Sequence, residues 1–207
     1  KKSGANSVTI HLREDRRHIS DNDLFKITKI KKINVNLEIA PTKEMLNIAL
    51  RAKPNFVCIV PEKRKELTTE GGLNLKKNYH KIKKIVTLLK KRGIRTSLFI
   101  EPNVKDIDVS KKIGTDCVEI HTGKFCNLFN LNKSFLNEFN RIKKCSYYAK
   151  KNRLEVHAGH GLTYRSAKRI LKIRYIEELN IGHFIISEAI FFGLNKVISN
   201  FKKILQK

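Results

Sequence analysis

Seven short apolar runs alternate with seven amphipathic stretches along this 207-residue chain, and that alternation restricts the fold more than any other feature. The strand-like runs fall near residues 7–11, 35–39, 56–60, 96–100, 116–120, 154–157 and 177–181. Helical periodicity falls near 21–32, 42–52, 76–92, 104–113, 132–151 and 163–172, with a last helix from about 185 to 205. Ile82, Ile85, Val86 and Leu89 share one helix face with lysines opposite, and Leu194, Val197, Ile198, Phe201, Ile204 and Leu205 form a stripe in the last helix. Ser20 is a candidate N-cap and Gly93 a candidate helix stop. Repeated strand–helix units predict a parallel sheet with helical crossovers. Seven units are one short of a TM-type count of eight, so the reading is an α/β fold, a TIM (β/α)8-type barrel lacking its first βα unit. A doubly wound sheet would carry a glycine-rich fingerprint after an early strand, and this sequence has none. No linker rich in Pro, Gly or Ser divides the chain, which reads as one domain over residues 1–207.

Barrel enzymes build their active sites on the loops at the carboxyl ends of the strands, and reactive residues gather there. The first strand runs into His11, Arg13 and His18, and the second carries Glu38 in the apolar context Val35–Ile39. The third leads to a loop containing Thr68-Thr69-Glu70-Gly71-Gly72, which suits wrapping a ligand or serves as a plain connection. The fifth gives Glu119-Ile120-His121-Thr122-Gly123, the sixth ends in Ala158-Gly159-His160-Gly161-Leu162-Thr163, and the seventh in Asn180-Ile181-Gly182-His183. Taken singly, each has a bland alternative. Glu38 and Glu119 fit structural ion pairs as well as raised-pKa bases. His160 fits a turn, and Arg13 and His18 fit surface pairs with Glu14 and Asp15. Gly182-His183 fits an ordinary strand–helix turn, or a phosphate site at a helix start. Together they offer acid–base catalysis plus anion binding. No spacing demands a metal, and no Ser/His/Asp set points to a hydrolase.

The net charge of +25 invites a nucleic-acid reading. Its lysines are spread over most helices, without zinc-finger spacing or an aromatic RNA-binding motif, so nucleic acid is disfavoured as a partner. Small phosphorylated substrates fit the charge better. The four cysteines, Cys58, Cys117, Cys126 and Cys145, form no C-x-x-C pair; Cys58 and Cys117 read as core residues, and neither a disulfide framework nor a metal site is expected. No run of eighteen apolar residues and no signal-peptide pattern is present, which predicts no membrane partner and a cytoplasmic location.

The segments SVTIHLREDRRHI, NLEIAPT, FVCIVPEKRKELTTEGGL, VEIHTG, VHAGHGLTY and ELNIGHFIISEAIFFGL resemble the pyridoxine 5′-phosphate synthase family, in order, from about residue 4 to residue 200. The resemblance implies a barrel assembled as a homo-octamer and a reaction without metal or redox cofactor. In it 3-amino-2-oxopropyl phosphate and 1-deoxy-D-xylulose 5-phosphate become pyridoxine 5′-phosphate, phosphate and water. It implies His11 and Glu38 as proton acceptors, His160 as proton donor, and Glu119 as a stabiliser of developing charge. Arg13, His18 and Thr68 would hold the deoxyxylulose phosphate, and Gly161, Gly182 and His183 the aminoketone phosphate. The family's first strand, with its substrate-binding Asn, Asp-His pair and Arg, has no counterpart here. Two other readings stand beside it: another sugar-phosphate-binding barrel enzyme, or an inactive barrel with a basic binding role. A Schiff-base aldolase would need a desolvated lysine at a strand end, and the sequence offers none inside a strand.

Overall fold

Strand β1 (Ser7–His11) pairs in parallel with β2 (Asn34–Ile39), and the pattern repeats through β3 (Phe56–Ile59), β4 (Arg95–Ile100), β5 (Cys117–His121), β6 (Glu155–Gly159) and β7 (Glu178–Asn180). The computed structural model describes residues 2–62 and 71–206. Its seven strands lie in sequence order in one parallel sheet, the nearly closed barrel that the strand–helix alternation predicts. Edge strands β1 and β7 are not paired with each other by backbone hydrogen bonds. Thr9 Oγ1 instead donates to Asn180 Oδ1 at 2.8 Å across that seam.

Alternation along each strand separates two environments, because successive side chains point to opposite faces. Outward residues such as Leu37, Ile39, Val57, Ile59, Leu98, Val118 and Ile120 are buried in the main core against the helices. The other face lines the barrel, where Thr9, Asn36, Glu119 and Asn180 hydrogen-bond to one another and only a small apolar group of Cys58, Val60 and Phe99 forms. Barrel interiors usually hold bulky branched side chains. This one is polar, and the hydrogen bonds linking Asn36, Thr9, Asn180 and Glu119 offset part of the cost of burying them.

The helices follow from local signals. Ser20 and Asp23 form a reciprocal capping box that opens α1 (Asp21–Thr28). Thr42 caps α2 (Lys43–Ala52), and Asn74 caps α3 (Leu75–Lys90), whose Ile82, Ile85, Val86 and Leu89 face the core as expected. Gly93, with φ +72°, ends that segment, and Gly114 ends α4 (Val104–Ile113). Three helix expectations need correction. The helix expected over 132–151 begins only at Leu136, as α6 (Leu136–Lys151), and a separate α5 (Gly123–Asn130) precedes it where no helix was expected. Phe125, Phe129 and Phe135 pack ring on ring where α5 turns into α6, and that cluster ties the unexpected helix to the next. After α7 (Tyr164–Ile170), the last helix is also two, α8 (His183–Phe192) and α9 (Leu194–Leu205). Gly193 separates them at φ 75°, ψ 146°, a conformation open to glycine alone. Of the predicted stripe, Val197 and Phe201 are buried against Ala167, while Leu194 and Leu205 stay exposed. Helix α1 also stops at Thr28, short of 32. No helix among the described residues is long and apolar enough to cross a membrane.

Candidate active site

The parallel register brings the expected residues to one end of the barrel. His11 and Glu38 are direct neighbours on β1 and β2, with His11 Nδ1 3.6 Å from Glu38 Oε2 and His11 Nε2 3.4 Å from Glu62 Oε2. Burial, with Arg13 and His18 nearby, lowers the His11 imidazole to about 4. Burial raises the Glu38 carboxyl to about 7. The ordinary order of the two groups is thus inverted, and at neutral pH a bare imidazole sits beside a partly protonated carboxyl.

Glu119 lies deeper. It is 3 % exposed, accepts a hydrogen bond from Asn180 Nδ2 at 2.9 Å, and faces Cys58 Sγ at 3.7 Å. Burial first, then the Glu38 and Glu178 carboxyls, push it well above the usual carboxylate range. Its room comes from Gly159 on the neighbouring strand, where an added Cβ would lie 2.0 Å from Glu119 Oε1. Asn180 ties Glu119 to Thr9 across the seam, a role that the sequence reading missed. A strand-end Asn beside a Gly-His pair was the available signal.

His160 follows β6 in a left-handed conformation, φ 80°, rare for a side-chain-bearing residue. Thr122 holds it there: its Oγ1 donates to the carbonyls of Gly159 (2.8 Å) and His160 (2.7 Å). Strained backbone fixed by its neighbours is characteristic of working sites. Burial, with His121 and His183 nearby, keeps the His160 imidazole below its ordinary value. Gly161, at φ 77°, lets the same loop pass 3.1 Å from Cys126 Cβ as measured from an added Cβ. His160 and Gly161 line a cleft of about 580 Å³ together with His121, Gly123, Lys124 and Asn127, a size suited to a small ligand. His121 stands in the strand-end segment Glu119–Gly123, where the sequence reading assigned it no role of its own.

The remaining expectations fall around this end. Gly182 is the N-cap of α8 and His183 its first residue, both exposed, with no side chain capping the helix start. Its first N–H groups are therefore open to an anion. Arg13 is buried, its Nε 3.9 Å from carboxylates of Asp15 and Glu62. His18 is exposed on the loop after β1. Thr68 lies outside the described residues.

All four cysteines are buried. Cys58, Cys126 and Cys145 join apolar clusters, but Cys117 does not. At the amino-terminal end of the barrel it lies with Glu155 and His157, their donor atoms all within 4.8 Å of one another. Arg95 hydrogen-bonds to both Cys117 and Glu155, so a cation is already part of the group. Burial pushes the Cys117 thiol up to about 12, which keeps it protonated.

The family model described as "Pyridoxal phosphate biosynthesis protein PdxJ" matches residues 1–207. The chain belongs to the PdxJ family. A PdxJ relative from Pelagibacter ubique (strain HTCC1062), named pyridoxine 5′-phosphate synthase, is 59% identical over 206 residues, covering 100% of this chain and 86% of the relative. One from Sulfurihydrogenibium sp. (strain YO3AOP1), with the same name, is 50% identical and covers 98% and 84%. PdxJ relatives are thus biosynthetic enzymes by name, and this chain is an enzyme of that group. Among solved structures, one titled as a 4-hydroxy-2-oxoglutarate aldolase "from TTHB1" superimposes with TM-score 0.65 at 12% identity, covering 99% of this chain and 83% of that one. A structure titled "Native KDPGal structure" gives 0.67 at 10% identity, covering 100% and 86%. At such identity they share with the PdxJ barrel its fold alone.

Proposed function

We propose that this protein is a pyridoxine 5′-phosphate synthase that condenses 3-amino-2-oxopropyl phosphate with 1-deoxy-D-xylulose 5-phosphate by acid–base catalysis. The products are pyridoxine 5′-phosphate, inorganic phosphate and water. The observation that carries this reading is the inverted His11–Glu38 pair, with the imidazole at about 4 and the carboxyl at about 7. Imine formation, loss of phosphate, loss of water and ring closure each move protons, and a bare base beside a half-protonated acid serves such a sequence near neutral pH. His160 donates a proton from its cleft. Glu119 contributes as a neutral acid, stabilising developing charge through a hydrogen bond rather than through its own charge. Two phosphates need two anion sites. The uncapped start of α8 at Gly182 and His183, with Gly161 nearby, takes the aminoketone phosphate, and Arg13, His18 and Thr68 take the deoxyxylulose phosphate.

The protein works as a homo-octamer in this reading. The exposed apolar side chains of α8, among them Ile190 (77 % exposed) and Phe191 (80 %), support burial of that face against another copy.

Mass spectrometry of the products formed from both substrates tests the reaction, with His160→Ala as the control. Pyridoxine 5′-phosphate from the protein and at most about a hundredth as much from the variant is the expected result. No product from the protein itself would overturn the proposal.

A further inference from the structure

The cleft beside His160 contains a second histidine. His121 Nδ1 lies 2.8 Å from Glu101 Oε1, and a carboxylate can only accept, so Nδ1 carries the hydrogen. That leaves Nε2 as the bare nitrogen. It is buried, has no hydrogen-bond partner among the described residues, and belongs to the wall of the cleft. Buried polar atoms are normally satisfied, and one left open in a cleft asks for a ligand.

The surroundings hold this arrangement from several sides. Glu101 Oε1 also accepts the Gly72 N–H at 2.9 Å, and Gly72 sits so close that a Cβ would lie 2.3 Å from the Glu101 nitrogen. The His121 ring packs between Phe99, at 5.2 Å, and His160, at 5.0 Å. At Gly123 a Cβ would be 2.6 Å from His121 Nε2 and 2.8 Å from His160 Cδ2, so only glycine leaves both rings their places. A purely structural ion pair would not need Nε2 kept open.

We propose that His121 is a further catalytic residue of the synthase reaction, exchanging protons with substrate through Nε2, and that Glu101 is the positioning residue that fixes its tautomer. This rests on the synthase reading above. In its step Nε2 takes a proton from a substrate C–H or O–H, and the bonding electron pair stays on the substrate. The imidazolium, held by the Glu101 carboxylate, then returns that proton to a departing hydroxyl, which leaves as water. Among the described residues, the other charged or titratable groups around the pair are His160, whose ring packs on His121, with His183 near it, Cys126 in the cleft wall, Lys124, which is paired with Glu138, and Arg141 near Glu101.

The test is steady-state kinetics of His121→Gln and Glu101→Gln with both substrates, together with ¹⁵N NMR of the histidines in the unmodified protein. His121→Gln is expected to lower kcat about 100-fold or more with KM within about threefold. Glu101→Gln is expected to lower kcat about tenfold and to move a limb of the pH–kcat profile to lower pH, because the imidazolium loses its anion. The NMR spectrum is expected to show His121 Nε2 without a proton. Product formation by His121→Gln at the unmodified rate, or a protonated Nε2 in the free protein, overturns the proposal while leaving the synthase reading intact. If His121→Gln fails to fold, the pH profile of Glu101→Gln decides alone, and an unmoved profile overturns it. A protein that makes no product overturns the synthase reading, and this one with it.

Discussion

At the scale of single residues, the barrel interior is where ordinary acidities are reordered. Glu38 titrates near 7 when folded against 4.5 when exposed, so the folded state holds its proton more tightly than the unfolded chain. Below about pH 4.5 both states are protonated and Glu38 costs nothing. Between 4.5 and 7 the unfolded chain alone releases the proton, and stability falls as pH rises. Above 7 the full cost, about 3 kcal/mol, is present. Glu38→Gln removes this slope, so denaturant titrations at pH 4 and pH 8 should show the variant gaining on the unmodified protein by up to that amount at the higher pH. An equal difference at both values would exclude the raised carboxyl. Thr122 is the other residue whose effect is readable: Thr122→Val deletes the hydroxyl that binds the Gly159 and His160 carbonyls. A loss of about 1–2 kcal/mol in chemical denaturation is expected, accompanied by a lower kcat as His160 relaxes from its left-handed backbone.

At the scale of elements, α8 and α9 meet at Gly193, and Gly193→Ala forces a side chain into a conformation that only glycine takes freely. We expect a cost of about 1–3 kcal/mol, read as a lowered melting temperature. The sequence made the strands, α2, α3 and α4 legible because apolar spacing and caps agreed there. It left α5 out, because that short helix is held by ring contacts with Phe135 beyond its own span, and it merged α8 with α9, because helical periodicity continues across a break set by one glycine's φ. The site shows the same division. His11, Glu38, Glu119 and His160 were readable as polar residues at strand ends. His121, Thr122 and Asn180 lay in those strand-end segments without a role, and Glu101 was not singled out, since their importance comes from partners about 20 to 171 residues away in the chain.

At the scale of the whole molecule, two properties have measurable consequences. The +25 charge would attract the phosphorylated substrates proposed above through water. Raising ionic strength from about 20 to 200 mM should therefore lower kcat/KM about threefold or more while leaving kcat nearly unchanged. A salt-independent kcat/KM would show that the lysines only solvate the helices. The second property is the seam. Strands β2 to β6 each have two backbone partners, whereas β1 and β7 have one each and meet through Thr9 and Asn180. Amide hydrogen exchange should be fastest in β1 and β7 and slowest in β3 to β5. Uniform protection around the barrel would contradict it.

Gly159 and Glu119 share one volume, and that has a consequence over generations of mutation. A larger residue at 159 is obstructed while Glu119 is present, and a shorter residue at 119 leaves a hole while glycine remains. Change at either position alone is penalised, and only a paired change escapes. The two sites form a ratchet in which each residue preserves the other's identity, and a double-mutant cycle through Gly159→Ala and Glu119→Ala would register it as strong non-additivity.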